Sequence, residues 1–198
     1  ILYNLLYVAL LIVLRALIPT PKEGRYDLGP GSKLDRQLLY SAFIAALTKA
    51  RYHAPFPGFL VFHIASLPPM RWLMGPIFGP RSGSYFVTDP CIIDPHMVSV
   101  GRNVTIGFGT TIAAHYQQRD AVYFKRTIIE DDVVIGAHVA LAGVHVKRGA
   151  VIGAGSIVLP ESEIGENEYW SGNPARRRSV LSPPGERTTV PSDAMITV

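Results

Sequence analysis

The sequence is poor in cysteine and in charged residues, and each shortage narrows what the protein can be. With one cysteine, Cys91, in 198 residues, no disulfide can form within the chain, which is compatible with a reducing compartment. Charged residues make up 17% of the sequence, against roughly 25% in a typical soluble domain, and this points to a membrane or to a buried interface between subunits. The net charge of +4 suits an anionic ligand or an acidic membrane surface, but it is too diffuse to indicate nucleic-acid binding.

What the sequence does contain is an aliphatic residue at every sixth position over a long stretch, often followed by glycine. The ten positions are Val100, Ile106, Ile112, Ile129, Ile135, Leu141, Val146, Ile152, Val158 and Ile164. A hexapeptide repeat of this kind predicts a parallel β-helix. Each short strand contributes one inward aliphatic side chain, and stacked coils join these into a dry column that no single coil could bury.

Two defects interrupt the six-residue spacing. Ile112 and Ile129 are seventeen residues apart, one short of three repeats, which predicts a loop that leaves the coil there. Leu141 and Val146 are five apart, which predicts a one-residue deletion in a turn. The alternative fold is an antiparallel sheet rich in valine and isoleucine, but its strands would alternate with period two.

The N-terminal run from Ile1 to Ile18 is apolar except for Asn4 and Arg15. As a helix rising about 1.5 Å per residue it would be roughly 27 Å long, close to the hydrocarbon thickness of a bilayer. We therefore predict a membrane-associated helix and linker over residues 1–31. The basic residues Lys22, Arg25, Lys33 and Arg36 follow it, and by the positive-inside rule they favour the cytoplasmic face of the membrane.

Other interpretations of this run are a signal peptide and a buried amphipathic helix. A signal peptide is disfavoured because no basic segment precedes the apolar residues, whereas the buried helix stays open. Because the first residue is Ile1 rather than methionine, we interpret the chain as a fragment or a processed product.

Residues 32–85 are expected to form a helical and proline/aromatic-rich capping segment. Ser32 to Asp35 resembles a capping box that opens a helix running to about Arg51. Between Ala54 and Gly83, six prolines alternate with aromatic residues. This part could cover the open end of the β-helix, or it could form an interfacial segment or a wall of a pocket for a lipidic substrate. The C-terminal residues 179–198 are predicted to be extended or disordered.

Three groups of residues around the repeats form a more specific pattern. They are DPHMV from Asp94 leading into VGRNVTIG from Val100, then TIAAH ending at His115, and then GNPAR from Gly172 to Arg176. Together they resemble the hexapeptide-repeat acyltransferases of the galactoside, maltose and xenobiotic acetyltransferase type, over about half of the chain. The N-terminal 85 residues look more like those of membrane-attached relatives.

That resemblance implies a mainly β protein, with a left-handed parallel β-helix over residues 86–178 joined to an α-helical hydrophobic N-terminal region. It also implies a homotrimer with active sites between neighbouring subunits, and acetyl-CoA or another acyl-CoA as co-substrate. No metal is expected. The hydrophobic N-terminal third suggests that the acceptor, a hydroxyl or an amine, is a small molecule, glycan or lipid-linked group close to a membrane.

His115 falls where the resemblance places the catalytic histidine. As general base it would take a proton from the acceptor, a task that suits imidazole because its pKa lies near neutrality. The simpler alternative is a histidine at the base of a loop, bonded to backbone. In the loop from Tyr116 to Arg126, Arg119 and Lys125 could hold an anionic acceptor group and Asp120 could orient His115, unless the loop is merely solvated.

The resemblance also suggests residues for the donor. The oxyanion of the tetrahedral intermediate would need a backbone N–H, for which the turn Gly136-Ala137 is a candidate. The cofactor-binding residues it implies are Gly136, Ala137, Ala154, Gly155, Asn173, Arg176 and Arg177. The small residues could instead serve turn geometry alone. Many members carry a Thr-Lys pair where this chain has Leu159-Pro160, which leaves a carrier-protein donor open.

Two further functions stay open. A γ-class carbonic anhydrase has the same repeats but needs three zinc-binding histidines, two of them five residues apart, whereas His138 and His145 are seven apart. A non-catalytic trimerisation scaffold on a membrane anchor would need the coils alone.

Overall fold

The computed structural model describes residues 2–17, 19–29, 32–50, 85–87 and 91–182. The proline- and aromatic-rich segment from Ala54 to Gly83 and the tail beyond residue 182 lie outside the described residues, so the expectations for them stay predictions. The helices are α1 (Leu2–Leu17) and α2 (Leu34–Ala50), and a 3-10 turn covers Pro95–Met97. The strands are β1 (Gly24–Asp27), β2 (Tyr85–Val87), β3 (Cys91–Ile92), β4 (Val98–Val100), β5 (Val104–Ile106), β6 (Thr111–Ala113), β7 (His115–Gln118), β8 (Ala121–Phe124), β9 (Thr127–Ile129), β10 (Val134–Ile135), β11 (Ala140–Ala142), β12 (His145–Val146), β13 (Val151–Ile152), β14 (Ile157–Val158), β15 (Glu163–Ile164), β16 (Glu168–Gly172) and β17 (Ala175–Val180).

The short strands form three parallel sheets that the chain visits in turn. Sheet I contains β2, β5, β10, β13 and β16, with β17 added antiparallel; sheet II contains β3, β6, β11 and β14; sheet III contains β4, β9, β12 and β15. Because each strand pairs with the strand one coil before and one coil after it, the chain winds into stacked three-sided coils. The predicted parallel β-helix is confirmed.

The repeat positions align in columns, one for each sheet. Ile106, Ile135 and Ile152 are in register in sheet I. The corresponding column of sheet II is Ile112, Leu141 and Val158, and that of sheet III is Val100, Ile129, Val146 and Ile164. All ten side chains are at most 3% exposed. Since burial of one such side chain contributes roughly 1.5–3 kcal/mol, these columns are the main source of the fold's stability.

Glycines that follow the column residues allow the corners of successive coils to stack closely. A Cβ atom on Gly136 would lie 2.5 Å from the backbone nitrogen of Ala154 in the next coil, and backbone cannot move aside as a flexible side chain can. The corners are also bonded to each other, since the Gly155 amide donates to the Ala137 carbonyl at 2.8 Å. A side chain at Gly136 would therefore push the coils apart.

The predicted loop between Ile112 and Ile129 is a β-hairpin that leaves the coil. Strands β7 and β8 pair antiparallel, and β1 pairs with the outer side of β8 to complete a three-stranded sheet. Residues 24–27 are therefore a strand, within the part of the chain that was predicted to be a membrane-associated helix and linker. The columns continue undisturbed on both sides of the hairpin.

Helix α2 packs on the first coil. Its start matches the predicted cap, because the Leu34 amide donates to the Ser32 Oγ at 3.1 Å. In a full capping box the Asp35 side chain would accept a hydrogen bond from the Ser32 amide. Here that amide donates to the Gly29 carbonyl instead. Leu34 is buried in the same core as the repeat columns, so α2 and the coils share one hydrophobic core.

Helix α1 is sixteen residues long and exposes much of its apolar surface. The sequence suggested a membrane-associated helix over Ile1 to Ile18. Within the described parts of the chain, no helix combines the length and the hydropathy needed to cross a membrane.

Candidate active site

His115 begins β7 at the corner between sheets II and III, directly after the buried Ala114. Its side chain is 27% exposed, and its Nδ1 lies 2.6 Å from the Asp94 Oδ2. The described residues offer no hydrogen-bond partner to the other ring nitrogen, Nε2. Nδ1 of the imidazole is thus hydrogen-bonded to Asp94, whereas Nε2 is available to contact a substrate.

Asp94 lies at the same corner one coil earlier, between β3 and the 3-10 turn, and its side chain is fully buried. Its Oδ2 accepts the Ala114 amide at 2.9 Å as well as contacting His115. Its Oδ1 accepts the hydroxyl of Ser41 on α2 at 2.6 Å. A buried carboxylate is costly unless hydrogen bonds compensate for the loss of water, and here three donors do so.

The two groups shift each other's pKa. The hydrogen bond to Asp94 raises the pKa of His115 above its ordinary value, although burial opposes this. Burial alone would raise the pKa of Asp94, but the hydrogen bonds from His115, Ser41 and the Ala114 amide bring that pKa below its usual range. Asp94 is therefore a carboxylate at neutral pH, and it fixes the neutral imidazole with its proton on Nδ1. The lone pair of Nε2 is then free to accept a proton.

Aromatic rings form one wall beside the histidine. The Phe124 ring centre lies 5.4 Å from that of His115 at a tilt of 37°, and Tyr26 meets Phe124 edge-on at 5.5 Å. Phe124 is paired with His115 across the hairpin and is buried. The ring of His115 is thus restricted by packing as well as by its hydrogen bond.

The opposite face of the hairpin is tied to the coils. Tyr116 and Tyr123 stack with ring centres 5.4 Å apart, and the Tyr116 hydroxyl donates to the Glu161 Oε1 at 2.5 Å. Burial, together with that carboxylate, raises the pKa of Tyr116 to about 12, so the hydroxyl keeps its proton. This contact anchors the hairpin two coils along the column, and it keeps the segment beside His115 in place.

The loop residues predicted for the acceptor have separate positions. Arg119 and Asp120 form the exposed tip of the hairpin, where Arg119 has a φ of 44°, and Lys125 is exposed at its base. The prediction that Asp120 orients His115 is wrong. Its carboxylate pairs with Arg25 at 3.1 Å, and Asp94 occupies the orienting position. Asp94 is there because coil stacking brings it under Ala114, whereas Asp120 is carried away to the end of the hairpin.

The four small residues predicted for the donor share another corner. Gly136, Ala137, Ala154 and Gly155 lie between sheets I and II, in two stacked turns. Within one chain they are separated from His115 by the width of sheet II, about 10 Å for three residues of strand. The Gly136 amide donates to the Ile152 carbonyl at 2.8 Å, so it cannot serve an oxyanion. The Ala137 amide is the member of this turn left as a candidate.

The other predicted cofactor-binding residues, Asn173, Arg176 and Arg177, lie on the closing hairpin of β16 and β17. Asn173 and Arg176 are exposed, and Arg176 donates to the neighbouring Ala175 carbonyl at 3.1 Å. Arg177 is already paired with Glu168 at 3.1 Å. Of the two arginines, Arg176 is therefore the one that has no carboxylate partner among the described residues.

Comparisons with known proteins bear on this site. Residues 126–160 match the family model described as the hexapeptide repeat of succinyl-transferase. YvoF of Bacillus subtilis (strain 168) is provisionally named an acetyltransferase. It is 32% identical to this chain over 128 residues, which are 60% of this chain and 73% of YvoF. The chain belongs to the hexapeptide-repeat acetyltransferases.

Within this acetyltransferase family the similarity extends to larger and more distant proteins. The 2,3,4,5-tetrahydropyridine-2,6-dicarboxylate N-acetyltransferase of Staphylococcus aureus (strain bovine RF122 / ET3-1) is 39% identical over 79 residues, covering 39% of this chain and 31% of that enzyme. The acetyltransferase VCA0836 of Vibrio cholerae superposes with a TM-score of 0.52 at 17% identity, over 73% of this chain and 93% of that one, which shows the shared fold. VCA0836 has also been solved with acetyl coenzyme A, at a TM-score of 0.49 and 18% identity.

The candidate site contains two residues that were not predicted, Asp94 and Ser41. The spacing gave no direct signal for Asp94, because Ile112 pairs with Ile92, twenty residues earlier, and not with the residue eighteen positions earlier. The two extra residues place Asp94 at the corner occupied by Ala114 and His115. Ser41 had no signal either, because its position depends on how α2 docks.

Proposed function

We propose that this protein transfers an acetyl group from acetyl-CoA to a hydroxyl or an amine, with His115 as general base. Family membership supports acetyl transfer, and the Asp94–His115 pair is the observation that supports the base. A carboxylate on Nδ1 sets the tautomer in which Nε2 can accept a proton, and it stabilises the imidazolium that forms.

The proposed reaction needs one proton to move twice. Nε2 takes the proton of the acceptor hydroxyl or amine as that atom attacks the thioester carbonyl. The tetrahedral intermediate then collapses, the carbon–sulfur bond breaks, and the imidazolium returns the proton to the departing thiolate. Such a base typically contributes roughly 10²- to 10⁴-fold in rate.

A homotrimer is part of the proposal because one chain does not assemble the whole site. His115 lies at the corner between sheets II and III, whereas Ala137, Ala154 and Gly155 lie at the corner between sheets I and II. A neighbouring copy could pack its corner between sheets I and II against the corner between sheets II and III of this chain. Its Ala137, Ala154 and Gly155 would then lie beside His115. Three copies related by a threefold rotation axis make this contact at each of their three interfaces.

The direct test is release of free thiol from acetyl-CoA with a panel of hydroxyl and amine acceptors. We expect acceptor-dependent release, and a sugar or lipid-linked acceptor to be among the active ones. Acetylated carrier protein tests the other donor, which the Leu159-Pro160 departure left open. If neither donor is consumed with any acceptor class, the proposed activity is wrong and a scaffold role is favoured.

The zinc-enzyme alternative has less support from the described residues. His145 Nε2 lies 2.7 Å from the Glu130 Oε1, and the His138 ring meets Phe108 edge-on at 5.7 Å. Within the described parts of the chain, no three His, Cys, Asp or Glu side chains converge as a metal site would require. Stoichiometric zinc in the purified protein would favour the anhydrase instead.

We also propose that α1 holds the protein against the cytoplasmic face of a membrane, so that a lipid-linked or membrane-proximal acceptor reaches His115. The residues Leu2, Leu6, Leu10, Val13 and Leu17 are 51–73% exposed. At about 100° per residue they fall within an arc of roughly 80°, which makes one continuous apolar stripe. Stripes of this kind bury themselves in the interface of a bilayer.

Flotation with phosphatidylglycerol vesicles tests this attachment. The wild-type protein is expected to float with the vesicles, whereas the double variant Leu6→Asp and Leu10→Asp should remain at the bottom of the gradient. Val180→Asp is the matched control, because Val180 is equally exposed but lies on β17. A wild-type protein that stays with the soluble fraction would refute the attachment and leave the acetyltransferase proposal intact.

A further inference from the structure

Ser41 is a buried polar residue in the middle of an otherwise peripheral helix. Only 3% of it is exposed, and its hydroxyl donates to the Asp94 Oδ1 at 2.6 Å, across 53 residues of sequence. A serine inside a helix commonly bonds to its own backbone or to water. Here the hydroxyl reaches out of α2 and into the candidate active site.

The two oxygens of Asp94 have different partners. Oδ2 is shared by the Ala114 amide and the His115 ring, whereas Ser41 is the donor to Oδ1 among the described residues. The torsion that turns a carboxyl group about its Cβ–Cγ bond has broad minima. A donor on Oδ1 therefore fixes the plane of the carboxylate, and this plane determines where Oδ2 meets the imidazole.

We propose that Ser41 is a positioning residue for His115, acting through the Asp94 carboxylate, so that helix α2 is a working part of the active site. The inference rests on the proposed role of His115 as base. It adds a third residue, 74 positions away in the sequence, to a pair that the coils alone would form. The chain of contacts runs from the Ser41 hydroxyl to Asp94 and from Asp94 to the His115 Nδ1.

The charges around this chain of contacts are few. Asp94 is the one charged group among the described residues that shifts the pKa of His115, and His115 is the one that shifts the pKa of Asp94. His96 is buried two residues after Asp94 on the same turn. The Ser41 hydroxyl takes up part of the negative charge of Asp94. Removing this hydroxyl makes the Asp94 carboxylate a stronger hydrogen-bond acceptor for His115, and this raises the pKa of the imidazole.

The experiment compares Ser41→Ala and Ser41→Thr with the wild-type protein. We expect Ser41→Ala to lower kcat roughly tenfold, the effect of losing one hydrogen bond to a charged group, with the KM for acetyl-CoA unchanged. Ser41→Thr keeps the hydroxyl and should restore most of kcat. In parallel, NMR of the imidazole nitrogens should show the pKa of His115 raised in Ser41→Ala.

Ser32→Ala is the control for a merely structural effect of α2. It removes the cap of the same helix but leaves the contact with Asp94 in place, so the His115 titration should match the wild type. An unchanged titration in Ser41→Ala, or an equal shift in Ser32→Ala, would overturn the proposal. Because the NMR titration needs no turnover, it decides the role of Ser41 even if the acetyltransferase proposal fails.

Discussion

Replacing His115 with alanine is expected to lower the rate of acetyl transfer by at least ~100-fold, since it removes the base and leaves the proton of the acceptor without a receiver. The Ser41 hydroxyl and the Ala114 amide still donate to Asp94 in this variant, so the buried carboxylate keeps two of its three partners. We expect the far-UV circular dichroism and the assembly state to match the wild type. Thiol release under saturating acetyl-CoA is the measurement.

Two further variants separate chemistry from structure. His115→Gln supplies an amide that can donate to Asp94 but cannot take up a proton, so it should be as inactive as His115→Ala. His145→Ala removes a histidine that contacts a carboxylate at nearly the same distance but lies in strand β12 of sheet III, and it should retain full activity. If His115→Ala stays within a few-fold of the wild type, His115 is not the base.

The Asp94→Asn variant should lose about 10²- to 10⁴-fold in kcat, comparable to the loss of the base itself. Asparagine keeps an oxygen at the Oδ1 position that can accept the Ser41 hydroxyl, but it has no acceptor at the Oδ2 position for the Ala114 amide. Its NH₂ group, turned towards His115, would donate to Nδ1 and force the imidazole proton onto Nε2. The nitrogen that faces the acceptor would then be a donor, and it could not take a proton.

The pH profile gives an independent test with a definite sign. The active form has neutral His115, so kcat/KM falls as the pH decreases through the pKa of this residue. Asp94 raises that pKa, so the acid limb of the wild type lies above the ordinary histidine value. In Asp94→Asn the raising charge is gone while burial remains, and the acid limb of the residual activity should move to lower pH.

Glu130→Gln is the matched control for this shift, because Glu130 contacts His145 as Asp94 contacts His115. Its pH profile should coincide with that of the wild type. An acid limb that moves to higher pH in Asp94→Asn, or that does not move, would mean that the ionised Asp94 does not hold the proton of His115.

The coils could be predicted from the sequence because their signal is local. A side chain such as Ile135 needs only its neighbours six residues away to define a column, and the corner glycines repeat in the same phase. The break in that spacing predicted a loop, and the structure shows that this loop is a hairpin. The position of His115 followed from the resemblance, and the structure places it at a corner where a base could act.

The partners of His115 were harder to predict because they depend on stacking rather than on sequence distance. Asp120 is five residues from His115 and was the natural choice, yet the hairpin carries it to an exposed tip beside Arg25. Asp94, 21 residues away, is one coil below. The contact of Ser41 with Asp94 depends in addition on how α2 docks. The helix has no sequence repeat that would indicate which of its faces meets the coils.

The hairpin of β7 and β8 has a consequence for how substrate preference can change in such proteins. It is inserted where the chain would otherwise make a single corner, and the ladders before and after it stay in register. A different insertion at this corner would give His115 new neighbours without altering the pitch of the scaffold. Under the proposed mechanism, such a change would alter the groups that an acceptor meets and would leave the contact between His115 and Asp94 in place.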